Sequence, residues 1–393
     1  MSDAEESDWN EELEDEVSVS EARSLVVFSR DWTVETIVRQ IERGNIDLNP
    51  KFQRRNAWTD EKRSKLIESL LIGVPVPEIV LAEDQSRKGA FLVIDGKQRL
   101  LAVAGFLESK FEFWKVPKLR GLKTRGELNG KSFAEFAGPQ SNSGEVAESE
   151  DQRGLRNADI RCTIISNYSD VGVLYDIFYR LNAGSVPLSS QELRQVLNRG
   201  MFADFIIGAT NQVLPLHDVM RLSEPDARLR DAEILLRYIA FSKYGELYDG
   251  NLTPFLDATM ARVNKGWDSG LKSEAEELFI QFNKGTARLL ELFPPNKVGR
   301  KFVKDWETRF NRALFEVQVY YFARITDRKF NAHKEKFVSA FQSFCSTDRA
   351  FQDSIETTTK TKERYFTRFD LFRQLINATF KTAINDVPVP KPE

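Results

Sequence analysis

The chain has 393 residues, 41% of them hydrophobic and 29% charged, which is the composition of an ordinary globular protein with room for two domains. Two cysteines, Cys162 and Cys345, cannot build a disulfide framework, and two histidines, His217 and His333, exclude zinc sites made of several imidazoles and a self-contained His-Asn-His nuclease. The formal charge of −3 is unevenly spread: residues 1–22 carry ten acidic side chains and no basic one, leaving 56 basic against 49 acidic, a net +7, on the rest.

An acidic leader on a basic body fits a nucleic-acid binder whose tail competes for the basic surface, and it equally fits a solvated, disordered leader. Its acidity matches neither a secretory signal nor a transit peptide. No apolar run approaches the length of a membrane helix. A reducing, cytoplasmic setting with no membrane partner is therefore expected.

In chain order, residues 24–28 read as a short strand. A helix starting at Thr33 puts Val34, Ile37, Val38 and Ile41 on one face and stops at Gly44. Residues 47–58 are irregular. A second helix is expected over about 60–72, ended by Gly73 and the Pro75/Pro77 pair. Residues 78–82 and 91–94 are strand-like, joined by a polar turn, and Asp95-Gly96 breaks the second of them into a helix containing Leu100, Leu101, Val103, Ala104 and Leu107. Seven basic and two acidic residues fill 110–131. Residues 141–152 read as a Ser/Gly/Glu loop, 160–165 as a buried strand, and 171–181 and 189–197 as helices. Strands and helices thus alternate to about residue 200, an α/β or α+β pattern. Beyond it, helical spacing recurs over 231–243, 273–293, 305–325, 333–346 and 364–384. Many of the 29 phenylalanines sit there, as expected for the core of a helix bundle. The boundaries expected are an acidic tail over 1–22, a mixed domain over 23–200, a helical domain over 201–386 and a Pro-rich tail over 387–393.

Gly126-Glu-Leu-Asn-Gly130-Lys131-Ser132 imitates a phosphate-binding loop, but three residues separate its glycines where four are needed, and no hydrophobic strand precedes it. Phe91-Leu-Val-Ile-Asp95-Gly96-Lys97-Gln98-Arg99 is a better candidate: a strand, an acidic turn and a helix start. Amide groups at a helix N-terminus attract anions, and Lys97 and Arg99 add donors for phosphate oxygens. Asp95 suits a divalent metal or an attacking water. The bland alternative is a helix junction with exposed charges. Gln53-Arg54-Arg55 beside Trp58, and Arg180-Leu-Asn182-Ala-Gly184, are weaker on their own: the first could bind phosphate or a base, the second could equally be a turn between helices.

Taken together, Phe52-Gln53-Arg54 with Trp58, Leu66 to Pro77, Ile94-Asp95-Gly96-x-Gln98-Arg99, and Arg180-Leu-Asn182-x-Gly184 running on to Leu188, Gln191, Glu192 and Arg194 keep an order and spacing that resembles the domain-of-unknown-function 262 family. That family includes the N-terminal half of GmrSD-type modification-dependent restriction enzymes and is assigned to the ParB/sulfiredoxin-like superfamily. The resemblance covers about residues 24–200 and implies a ParB-like domain followed by an all-helical one.

It further implies nucleotide binding and hydrolysis at an Asp-Gly-Gln-Gln-Arg signature. Asp95, Gly96, Gln98 and Arg99 match that signature; Lys97 replaces the usual Gln, which strengthens phosphate binding or displaces a metal. Gln53, Arg54, Arg180 and Asn182 match the flanking motifs. Many relatives carry a His-Asn-His nuclease domain that this chain lacks. The expected protein is a bacterial or phage restriction or defence component that binds an NTP with Mg²⁺. Asp95, Gln98 and Arg99 would be catalytic, with Asp95 also the metal ligand, and nucleotide would gate DNA binding or a partner nuclease subunit. DNA would be held by Lys118, Arg120, Lys123 and Arg125, and a homo-oligomer is compatible with this. The alternative is a non-catalytic DNA-binding or adaptor protein of the same fold, using the basic segments 110–131 and 297–312. Nuclease activity without a partner ranks last, because no paired-carboxylate cluster stands out.

Overall fold

A computed structural model of the chain describes residues 25–46, 48, 58–136, 148–168, 173, 174, 177, 189–356 and 359–392. Among these, one compact unit runs to Leu197 and a second begins at Asn198. The acidic tail, the Gln53-Arg54 loop and the Arg180–Asn182 turn lie outside the described residues.

The first unit holds β1 (Val26–Thr33), α1 (Val34–Glu42), α2 (Asp60–Leu71), β2 (Ile79–Glu83), β3 (Phe91–Asp95), α3 (Lys97–Leu107), α4 (Glu150–Asn157), β4 (Asp159–Ser166) and α5 (Ser190–Leu197). The four strands form one sheet in the order β1-β4-β2-β3. β1/β4 and β2/β3 are antiparallel, while β4/β2 is parallel. This is a mixed α/β unit with a small sheet. Helix α1 forms where its four spaced apolar residues are buried, and the Thr33 hydroxyl caps it by accepting from the Thr36 amide at 3.1 Å.

One sheet face is covered by α1 to α4. Ile37, Ile67, Val103 and Leu155 pack there with Leu81, Val93, Ile160 and Cys162 of the strands. On the other face, Val80, Ala82, Leu92, Ile94 and Ile165 meet Leu174 and Leu193 of α5. Both cysteines are buried, and burial pushes each thiol up to about 12, so neither is a nucleophile at neutral pH.

Two expectations in this unit need correction. The first strand extends to Thr33, because unbroken backbone pairing with β4, from Val26 opposite Ser166 to Thr33 opposite Asp159, forms it in spite of a largely exposed side-chain pattern. Residues 150–152 begin a helix instead of ending a loop. Ser149 and Gln152 make a reciprocal capping box that starts α4 despite its polar composition.

The second unit contains α6 (Met201–Thr210), α7 (Pro215–Val219), α8 (Arg230–Tyr244), α9 (Leu252–Lys265), α10 (Leu271–Leu292), α11 (Arg312–Arg324), α12 (Asp327–Thr347), α13 (Arg349–Glu356) and α14 (Lys362–Phe380), and no strand among its described residues. The helix expected to start at 305 starts at Arg312. Before it, Phe302 and Trp306 pair in an isolated bridge, and Asn311 caps the helix by accepting from the Leu314 amide. Helices α6, α7, α9 and α13 lie outside the stretches expected to be helical. Aromatic side chains fill the interior: Phe241, Tyr248, Phe255, Tyr365 and Phe369 form one group, and Phe293, Phe337, Phe341 and Phe372 another. The Pro-rich end is seated on the unit: Val389 is buried, and a Cβ on Gly245 would overlap the Pro388 carbonyl.

Polar groups inside the second unit are tied into structure. His217 accepts from the Leu214 amide at Nδ1, so the proton lies on Nε2 and is donated to Asp231 at 2.8 Å, with both side chains fully buried. Glu316 of α11 accepts from Arg237 of α8 at 3.0 Å and from the Tyr365 hydroxyl and Arg368 of α14. Among the described residues no helix is long and apolar enough to cross a membrane.

Candidate functional site

The Asp95–Arg99 segment lies where β3 turns into α3. Gly96 occupies the N-cap position with φ of +93°, the left-handed region that favours glycine. A Cβ there would stand 3.0 Å from Ile79 Cγ1 and 3.3 Å from Arg99 Nη2. Only glycine therefore lets the strand turn this sharply against β2.

The helix start is electrostatically unusual. α1, α2 and α4 each have a hydroxyl cap and acidic residues in the first turn, whereas α3 has neither and begins with Lys97 and Arg99. Cations at a helix N-terminus oppose the helix dipole, and an anion beside them removes the conflict.

Arg99 donates through Nη2 to Asp95 Oδ2 at 2.5 Å and to the Glu78 carbonyl at 2.9 Å. Its Nε and the Oε1 of Gln98 are buried without a hydrogen-bond partner among the described residues. Hydrogen-bonding capacity withdrawn from water and left unused is uncommon and suits a polar ligand.

A bulge aims the carboxylate. The β2/β3 register shifts between Val80 and Leu81, so that Asp95 lies opposite Val80 while Val93 lies opposite Leu81. Cross-strand partners share a face, so Asp95 joins the face that carries Val80. Thr163 is the neighbour of Val80 on β4, and Ser29 the neighbour of Thr163 on β1. The row Ser29, Thr163, Val80, Asp95 thus crosses the sheet. The Thr163 hydroxyl donates to Glu78 Oε2 at 2.7 Å, which leaves Ser29 as donor to Thr163 at 3.3 Å. Sequence reading missed Ser29, Glu78 and Thr163. They are scattered along the chain, and only strand register brings them beside Asp95.

Among the expected site residues, Asp95, Gly96, Lys97, Gln98 and Arg99 come together by chain proximity. Gln53, Arg54, Arg180 and Asn182 lie outside the described residues. In the downstream motif, Glu192 caps the start of its own helix by accepting from the Ser189 amide at 2.8 Å, and Arg194, fully buried, donates to Gln191.

The basic segment 110–131 is a lobe strapped to α2. Glu68 accepts from the Thr124 and Arg125 amides, and the Ser64 hydroxyl accepts from the Arg120 amide. Arg125 is engaged by Glu127 and Asp151, and Lys118 by Glu135. The Ser132 groups and Lys118 together hold the Glu135 carboxyl down to about 2. Arg120 and Lys123 are exposed. In 297–312, Arg300 is buried against the carbonyls of Val219 and Val298, Lys301 pairs with Glu307 and Glu356, and Arg312 pairs with Glu233. Three of that segment's six basic residues are therefore engaged within the fold, while Lys304 and Arg309 are exposed.

If duplex DNA is bound through this lobe, reversing Arg120 and Lys123 together should lower the slope of log affinity against log salt by about two, whereas reversing Lys118 and Arg125 should move it less. Fluorescence anisotropy at several salt concentrations checks this, and equal slopes would remove the lobe from the interface.

The architecture is that of a mixed α/β unit with a charged strand-to-helix turn at one sheet edge, followed by a helical unit. Residues 34–197 match the model of the GmrSD restriction endonuclease N-terminal domain. The match contains the Asp95–Arg99 turn and ends with α5. It supports a GmrSD-type restriction N-terminal domain in this stretch, and such a domain suggests a protein of a restriction or defence system. No curated protein and no solved structure matches the chain.

Proposed function

We propose that the first unit is a ParB-like nucleotide-binding domain, and that the protein binds and hydrolyses an NTP to gate DNA binding or a partner nuclease in restriction of foreign DNA. The observation that carries this reading is the start of α3. An uncapped glycine turn has two cations in place of the usual acids, and buried Gln98 Oε1 and Arg99 Nε lack hydrogen-bond partners among the described residues.

Amide groups of the first turn, Lys97 and Arg99 fit triphosphate oxygens, which need several converging donors and positive charge. Magnesium fits less completely. Among the described residues no group of three His, Cys, Asp or Glu side chains could hold a metal, and the Asp95 carboxylate already pairs with Arg99. Asp95 would be the single protein carboxylate on an ion held mainly by phosphate oxygens, an arrangement usual for Mg²⁺. Bound in this way, the ion supplies charge neutralisation. Phosphoryl transfer to water needs positioning and charge neutralisation more than a protein nucleophile. Arg99 neutralises phosphate charge, and Asp95 orients the water.

Calorimetric titration with each of the four NTPs and Mg²⁺ tests the reading; no heat with any of them refutes it. Asp95→Asn is expected to lower turnover at least about a hundredfold while changing affinity less than about threefold, because orientation of the water acts on the reacting centre. Phosphate release and titration on the same variant check it, and native turnover would reduce Asp95 to a turn residue.

A further inference from the structure

Glu78 stands at the entrance to β2, held from two sides. Its carbonyl accepts from Arg99, and its carboxylate accepts from Thr163, which is backed in turn by Ser29. The nearby cations are ion-paired with other carboxylates: Arg99 with Asp95 at 2.5 Å, and Arg161, flanking Thr163 on β4, with Asp31 at 3.1 Å, although Arg161 also feels the Glu78 charge. The Glu78 side chain is exposed, and its Oε1 takes no hydrogen bond from any described residue.

A carboxylate is an acceptor only, so this free oxygen selects a donor. It lies on the strand next to the Gly96 turn and is oriented by a hydroxyl that spends its own proton on the other oxygen. Nucleotide sites on sheets repeatedly use this pairing, with phosphates on the amides of a helix start and a nearby carboxylate accepting from the sugar hydroxyls.

We infer that Glu78, oriented by Thr163, accepts hydrogen bonds from the ribose hydroxyls of a nucleotide whose phosphates lie at the Gly96 turn, which makes the site selective for ribonucleotides. This rests on the nucleotide reading above. Thr163 and Ser29 are positioning residues: they fix the carboxylate and do not touch the sugar.

The test is equilibrium titration of the full chain, with Mg²⁺, against ribonucleoside triphosphates, their 2′,3′-dideoxy counterparts and inorganic tripolyphosphate. The native protein should prefer the ribonucleotide by about tenfold, the effect of one or two charge-assisted hydrogen bonds. Glu78→Ala should abolish that preference without weakening tripolyphosphate binding, and Thr163→Val should reduce it. Glu78→Gln, which keeps an acceptor oxygen, should retain part of it. A native protein that binds ribo and dideoxy forms equally, or a Glu78→Ala variant that keeps the native ratio, overturns the assignment while leaving the phosphate site standing. Failure of the native protein to bind any nucleotide or tripolyphosphate overturns both.

Discussion

On the proposed reading, Arg99→Ala should lower NTP affinity by about a hundredfold or more, since Arg99 would supply charge-assisted donors to the phosphates. The same change should lower stability by about 1–3 kcal/mol. Arg99 is largely buried, and its loss strips the partner from the Asp95 carboxylate and from the Glu78 carbonyl. The two effects separate in Arg99→Lys. A lysine keeps the charge but not the rigid planar head that sets Nη2 between carboxylate and carbonyl, so affinity should recover in part while stability recovers less. Calorimetry for binding and urea unfolding for stability read the two quantities independently. An alanine variant that binds NTP as tightly as the native chain would leave the Asp95–Arg99 turn a structural junction and withdraw the nucleotide reading.

Glu316→Ala should destabilise the second unit by about 3–5 kcal/mol, the usual penalty when one partner of a buried charge network is deleted. Glu316 faces Arg237, Arg368 and the Tyr365 hydroxyl, and so joins α8, α11 and α14, while Arg237 is also paired with Glu233 of α8. Burial pushes the Tyr365 hydroxyl well above the usual tyrosine range, so it remains a donor at physiological pH. With the carboxylate gone, the Arg368 side chain, 1% exposed, keeps its charge without that counter-ion, and Arg237, 4% exposed, is left with Glu233. Urea unfolding followed by circular dichroism measures the loss. A change below about 1 kcal/mol would mean that water reaches the network and replaces the carboxylate.

Much of the first unit was legible in its residues because local rules act there. Val34, Ile37, Val38 and Ile41 recur at helical spacing behind a capping threonine, and they are the buried face of α1. The Asp95-Gly96 break was legible for a similar reason: glycine is the residue that tolerates the left-handed turn found there. The helical character of the second unit was also readable, though the start of α11 was not. Residues 305–311 carry the same aromatic density as the helix, and only the Phe302–Trp306 bridge and the Asn311 cap show where the helix begins. Basic density was readable as well, but its availability was not: Arg300 and Lys301 look like surface cations in the sequence and are buried in the fold.

By itself, then, the sequence determined the glycine turn and its neighbouring charges at Asp95–Arg99 and the change from mixed to helical character near residue 200. All of these depend on residue type and on spacing within one or two turns of chain. Tertiary structure decided which sheet face Asp95 shares, that Glu78, Thr163 and Ser29 stand beside it, and which arginines are spent on internal carboxylates. Those outcomes depend on strand register and on a one-residue bulge between β2 and β3. Pairing between residues 83 to 140 positions apart is set by the packing of the whole sheet, and a shift of one residue exchanges every side chain between faces.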